Sequence, residues 1–361
     1  MGEFKSPLHE MVSTTKTELW NDSCAIKELT YAIEHGAVGA TTNPVIVGNV
    51  LNSEFNLWEN RIYQIIKENP SWTEVEITWQ LIEEMAVKGA KLLQPVFENN
   101  NKKNGRLSIQ TNPQYYRSKD LMLKQALHFN TLAPNIQVKA PVTEAGIQAM
   151  EEMTYHGVNV NATVCFNVPQ AVAIGQAIEN GLKRREAEGK DNSEMRAVVT
   201  IMVGRLDDWL KIGVEKKGLK IDKSILDWAG VAAFKKAYQI FNERKFRARL
   251  LAAAYRNQYH WTELVGGDIV MTMPYDWQLK FNQSEIKPVP KINEPVKKEI
   301  LDTLLTIPDF QKSYDPDGMK PSEFVEFGAS ARTLLSFLKG YQNLVERIRL
   351  MMIKAPYGEK F

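Results

Sequence analysis

Cysteine is almost missing. Cys24 and Cys165 are the only two in 361 residues, too few for a disulfide framework, and they read as small buried hydrophobes of a reducing, cytoplasmic compartment. Long apolar runs are absent too: none approaches the ~18 residues of a membrane span, so the chain reads as soluble. Net charge is nearly nil, 45 basic against 43 acidic residues leaving +2, so no global field draws nucleic acid or an anionic membrane. There is no GxGxxG after a strand and no GxxxxGK[ST], which argues against dinucleotide or P-loop chemistry. His9, His35, His128, His156 and His260 lack metal-ligand spacing, so neither a metal nor a cofactor is expected. Met1–Met11 is mixed and charged, with no secretory signal expected there. Gly2 with Ser6 fits a loose myristoylation pattern and Asn161-Ala162-Thr163 a glycosylation sequon, but patterns this short arise by chance. Lys320 stands where a calcium loop beginning at Asp315 needs glycine, so that segment reads as a turn.

What is present is ordinary globular composition, 44% hydrophobic and 24% charged, with no linker dividing it. Short β-like runs alternate with longer amphipathic stretches, the pattern of repeated βα units. Strands are predicted at Glu18–Asp22, Val38–Thr42, Arg106–Gln110, Ile136–Lys139, Val158–Thr163, Ala197–Met202, Arg249–Ala254 and Asp268–Thr272. Eight suffice to close a barrel. The expected fold is α/β: one (β/α)8 barrel domain spanning 1–361, with its core about 17–290 and C-terminal helices about 291–361. Gly36 and Gly157 suit helix C-caps, and Thr143 and Asn167 suit N-caps. Glu54–Leu93 reads as an inserted helical pair, and Lys183–Asp191 as a solvated helix end. A long helix capped by Ser322 is expected to pack outside the barrel.

Three strands carry polar residues where a parallel strand covered on both faces should be apolar. Ser108 and Gln110 alternate with Leu107 and Ile109, Gln137 and Lys139 with Ile136 and Val138, and Asn159, Asn161 and Thr163 with Val158, Val160 and Ala162. Period-two geometry puts each polar set on one face. Helices must cover the apolar face, so the polar face looks into the barrel. Lys139 sits at the C-terminal end of its strand, where barrel active sites are built. Two readings follow: an inert lysine hydrated at the rim, or a desolvated amine of lowered pKa that attacks a carbonyl and forms a Schiff base. Asp22 ends the first strand. Asn43 follows Thr41 and Thr42 and precedes Pro44, which breaks the second strand there. Each alone reads as a turn residue or cap; with Lys139 they aim an acid, an amide and an amine at one mouth.

These residues resemble the transaldolase family. Gly39-Ala40-Thr41-Thr42-Asn43-Pro44 is similar to its TTNP or TSNP segment, and Val138-Lys139-Ala140-Pro141-Val142-Thr143 to the segment around its Schiff-base lysine. Asn161-Ala162-Thr163, Val203-Gly204-Arg205 with Asp208-Trp209, and Ala253-Ala254-Tyr255-Arg256-Asn257 resemble three further family segments, in order along the chain. The resemblance implies a metal-independent class I enzyme of the pentose phosphate pathway. Such an enzyme moves a dihydroxyacetone unit from sedoheptulose 7-phosphate or fructose 6-phosphate to glyceraldehyde 3-phosphate or erythrose 4-phosphate. By position it makes Lys139 the Schiff-base nucleophile and Asp22 the general acid and base. It gives Asn43, Asn161 and Thr200 to the dihydroxyacetone moiety, Thr163 to the proton-shuttling water, and Arg205 and Arg256 to the phosphate. For the two arginines, surface ion pairs are the competing reading. Small-molecule sugar phosphates are the implied partners; a homo-oligomer is left open.

Three positions depart from the family pattern. Gln110 stands where most transaldolases carry the carboxylate that activates this water, and it can orient a water but not accept its proton. A glutamine there resembles the sister fructose 6-phosphate aldolases, which release free dihydroxyacetone. Met202 replaces that group's tyrosine, and Ala254 the serine of the A-S-F-R-N segment. Three functions therefore stand: a transaldolase, an aldolase releasing dihydroxyacetone, and a sugar-phosphate-binding protein with impaired turnover.

Overall fold

The computed structural model describes residues 4–353, so Gly2 of the acylation pattern lies outside the described residues. Eight parallel strands close a barrel in sequential order: β1 (Glu18–Asn21), β2 (Ala37–Thr41), β3 (Arg106–Gln110), β4 (Ile136–Pro141), β5 (Val160–Cys165), β6 (Val198–Met202), β7 (Arg249–Ala253) and β8 (Val270–Met273). β8 pairs back onto β1. The fold is thus the expected (β/α)8 barrel. Strand ends shift slightly: β5 runs on to Cys165, and Asp22 falls just past β1, although its N–H still donates to the Met273 carbonyl at 3.0 Å.

Helix α1 (Pro7–Thr14) precedes the barrel, and α2 (Ile26–Glu34) follows β1. Ala25 has no side chain to cap α2, and Glu54 does so from a distance, its carboxylate accepting from Ile26 N–H at 2.7 Å. Between β2 and β3 lie α3 (Pro44–Ser53) and then the expected pair, α4 (Phe55–Glu68) and α5 (Glu74–Asn99), the second running past Leu93. Each later strand leads into its helices: α6 (Lys119–Phe129), α7 (Glu144–Tyr155), α8 (Val168–Ala187), α9 (Val203–Lys216), α10 (Lys223–Leu226), α11 (Ala229–Arg244), α12 (Tyr259–Thr262) and α13 (Tyr275–Asn282). Thr143 and Asn167 cap α7 and α8 as expected, and Gly36 and Gly157 take left-handed φ of +92° and +83°.

The C-terminal segment adds α14 (Lys298–Leu304), α15 (Pro308–Tyr314) and α16 (Gly328–Met352). Ser322 does not cap α16. It lies in a single 3-10 turn, Pro321–Glu323, and burial of Phe324 and Phe327 interrupts the chain before the long helix starts. Helix α16 lies outside the strands but over the barrel's C-terminal mouth. Its Ser330 and Thr333 hydroxyls accept from Gln170 in α8 (3.2 Å) and Arg205 in α9 (3.3 Å), both in the first turn of their helices.

Candidate active site

The polar faces of β3, β4 and β5 meet inside the barrel. Asn161 Nδ2 donates to Ser108 Oγ at 3.0 Å, a bond between strands that are not neighbours. Ser108 Oγ contacts Gln137 Oε1 at 3.3 Å, and Gln137 donates to the carbonyls of Val160 and Arg196. Thr200 Oγ1 on β6 donates to Asn161 Oδ1 at 2.6 Å. Across the interior from them Trp20, Val198, Leu251, Ala253 and Val270 form an apolar cluster. The lower polar residues therefore satisfy one another. Closer to the mouth, Gln110 Oε1 and Thr163 Oγ1 are buried with no hydrogen-bond partner. Gln110 pairs in register with Lys139. Buried polar atoms without partners are uncommon, and these two lie on β3 and β5, the strands on either side of the one that carries Lys139.

Lys139 is 3% exposed, which removes the hydrated-rim alternative. Its Nζ donates to the Thr42 carbonyl at 3.3 Å. Burial lowers its pKa; Asp22 opposes that shift and Arg205 reinforces it. Asp22 is pushed the other way: burial raises its pKa against Lys139, a hydrogen bond from Thr41 and Arg205. Thr41 Oγ1 donates to Asp22 Oδ1 at 2.6 Å and contacts Thr272 Oγ1 at 2.7 Å. Burial thus opposes both charges, while each charge supports the other. A cavity of about 280 Å³, lined by Asp22, Ser23, Glu28, Asn49, Tyr275 and Asp276 among others, opens beside the acid.

Asn43 caps α3, its Oδ1 accepting from Val45 N–H (2.9 Å) and Ile46 N–H (3.0 Å); only its amide hydrogens remain for a ligand. Asn161 likewise has its oxygen engaged by Thr200. Arg205 is largely buried, with one hydrogen bond, to Thr333, and an unpartnered Nε. Its pKa is lowered by burial and then by Arg256, with Arg332 adding to the same direction. Arg256 is paired with Asp208 at 2.8 Å, so the ion-pair reading describes that residue as it stands. Arg256 and Arg332 thus bear on Arg205 as like charges, opposed by Asp208 and Asp22.

Sequence reasoning missed Thr41 and Thr272, which tune Asp22; Thr41 stands inside a quoted motif and was the available signal. It missed Tyr255, buried beyond β7 with an unpartnered hydroxyl whose pKa burial and Asp22 push well up. Arg332 and Thr333 had no signal, since nothing local places that turn of α16 over the mouth. Val164 and Ala254, just beside Thr163 and Tyr255, hold φ of +54° and +64°, conformations that cost non-glycine residues about 1–3 kcal/mol.

The family model for transaldolase/fructose-6-phosphate aldolase matches residues 19–325, from β1 to just short of α16. The chain belongs to this family. Among curated relatives, the transaldolase of Thiobacillus denitrificans is 27% identical over 286 residues, covering 73% of this chain and 78% of that one. Transaldolase 2 of Streptomyces coelicolor is 26% identical, covering 71% and 76%, and the transaldolase of Mycolicibacterium smegmatis 27%, covering 73% and 76%. Family membership makes the function transaldolase-type, that of an aldolase or transferase enzyme. Among the described residues, no helix is long and apolar enough to cross a membrane, and no group of three or more His, Cys, Asp or Glu is placed to hold a metal.

Proposed function

We propose that the protein is a cytoplasmic Schiff-base transaldolase of the pentose phosphate pathway, transferring a dihydroxyacetone unit between sugar phosphates without a metal. One observation carries this reading: the Lys139 amine is buried, of lowered pKa, and electrostatically linked to the raised carboxyl of Asp22. The two unpaired, buried cysteines suit a reducing compartment.

In the proposed cycle the neutral Lys139 amine attacks the keto carbon of the donor ketose phosphate. The carbinolamine loses water to give an iminium, which serves as the electron sink for cleavage. Asp22 removes the proton of the C4 hydroxyl as the C3–C4 bond breaks, releasing the aldose and leaving an enamine on Lys139. In the second half the enamine attacks the acceptor aldehyde, Asp22 returns the proton, and hydrolysis frees the new ketose. Asn43 donates through its amide hydrogens to the dihydroxyacetone oxygens, as does Asn161 through the amide hydrogen not given to Ser108, with Thr200 orienting Asn161. Gln110 Oε1 and Thr163 Oγ1, each lacking a partner, hold the water that leaves and returns. Arg205 takes the phosphate, with Arg256 turning to it from Asp208.

A second reading, an aldolase that releases free dihydroxyacetone, is favoured specifically by Gln110. Fructose 6-phosphate with and without an aldehyde acceptor separates the two. Transfer gives no dihydroxyacetone until acceptor is added; release in its absence favours the aldolase. Borohydride reduction during turnover tests both: an adduct on Lys139, lost in Lys139→Ala, is expected. No adduct with any ketose phosphate leaves a binding protein without turnover.

A further inference from the structure

We propose that the buried pair Asp207–His260 is the positioning device of the anion clamp, holding Arg205 and Arg256 at a fixed separation. The proposal rests on the reading of those arginines as phosphate ligands. His260 and Asp207 are both fully buried, with Nε2 and Oδ2 2.8 Å apart. On the other side of the ring, the backbone N–H of Arg256 donates to His260 Nδ1 at 3.1 Å. An Nδ1 that accepts places the ring proton on Nε2, where it donates to Asp207. The imidazole therefore links the Arg256 backbone directly to the side chain of a residue two places along α9 from Arg205.

The remaining contacts tie this link into the frame. Asp207 Oδ1 accepts from Gly230 N–H at 2.8 Å, at the start of α11. Asn257 Nδ2 lies 3.5 Å from Asp207 Oδ2 and 3.3 Å from His260 Nε2, and donates to the Asp227 carbonyl at 3.2 Å. On the opposite side, a Cβ at Gly204 would sit 2.1 Å from the Ala254 oxygen, 2.5 Å from Arg256 Cγ and 3.2 Å from His260 Cε1. The segments bearing the two arginines thus touch through Gly204 and are bonded through His260. Ala254, directly before this turn, is in a left-handed conformation that only surrounding contacts can hold. A buried acid–imidazole pair brings no stability that apolar residues of the same volume would not, so its distinguishing property is the fixed direction of its bonds.

His260→Leu breaks both bonds. His260→Asn keeps an acceptor for Arg256 N–H but cannot reach Asp207. His260→Gln keeps one acceptor and one donor at nearly the ring spacing. The readouts are KM and kcat for glyceraldehyde 3-phosphate against glyceraldehyde with a common donor, and calorimetric affinity for inorganic phosphate. His260→Leu is expected to raise KM for the phosphorylated acceptor and weaken phosphate binding by about tenfold or more, because small displacements far from the chemistry carry large penalties. Its kcat and its kinetics with glyceraldehyde stay near those of the parent, and His260→Gln recovers most of the loss. If the leucine variant does not fold, the same loss is expected of His260→Asn. The proposal is overturned if these variants act equally on both acceptors, or leave both unchanged, while Arg205→Gln weakens only the phosphorylated one. If Arg205→Gln also fails to distinguish the acceptors, the phosphate-site reading falls and the proposal with it.

Discussion

Lys139 Nζ donates to the carbonyl oxygen of Thr42 at 3.3 Å, tying the amine of β4 to the end of β2. That contact satisfies one N–H of a group whose charge burial opposes and the carboxylate of Asp22 supports. Replacing Lys139 should separate activity from stability. Lys139→Met is expected to abolish turnover and raise the unfolding free energy at neutral pH by about 1 kcal/mol or more, because a buried amine gives way to an apolar chain. Urea unfolding at constant pH checks it, and a destabilised variant would count against the buried amine.

The pH dependence follows from two opposed shifts. Between Lys139's folded pKa and 10.5 the unfolded chain holds the extra proton, so the lysine's contribution to stability grows as pH rises through that window. Between 3.8 and Asp22's folded pKa the folded chain holds the extra proton, so that contribution falls as pH rises there. Relative to Lys139→Met, the parent should gain stability on the alkaline side. Unfolding curves for both proteins across that range give the difference directly.

Thr41→Val removes the 2.6 Å hydrogen bond that lowers the Asp22 pKa. The carboxyl should then ionise at higher pH. The acid limb of kcat/KM moves to higher pH, and kcat falls by about tenfold at the old optimum. An unmoved acid limb in a folded variant would remove Asp22 from the role of base.

Gln110→Glu places a proton acceptor beside the amine. If dehydration of the carbinolamine limits turnover, kcat rises, within the ~10²–10⁴-fold that a proton-transfer group supplies. Unchanged or lower kcat means the shuttle does not limit the rate.

At the opposite end of the barrel, Glu18 and Arg249 form a two-pronged ion pair at 2.7 and 2.8 Å, with side chains 18% and 10% exposed. Glu18→Gln leaves that guanidinium undercompensated and should cost about 3 kcal/mol. Thermal melts should show the loss, with kinetics at the mouth unchanged.

The barrel was legible because strand phase is a local signal. Polar residues at alternate positions of β3, β4 and β5 could only face inward once helices covered the other side, and Ser108, Gln137 and Asn161 do meet there. That Lys139 and Asp22 bear on each other's charge agrees with both standing at the C-terminal ends of their strands. What stayed illegible depends on contacts between distant segments. Ser322 had the right side chain for a cap, but Phe324 and Phe327 turn inward first. Arg256 carried no mark of its partner Asp208, 48 residues away. The placement of Thr333 and Arg332 over the mouth is set by the packing of α16, which no local pattern encodes.

The most direct measurement is the titration of Lys139 itself, by NMR of protein labelled at lysine Cε, with the resonance assigned through its loss in Lys139→Met. A midpoint below the 10.5 of a free lysine is the expected result. A midpoint at or above 10.5 would contradict a desolvated nucleophile and the mechanism built on it.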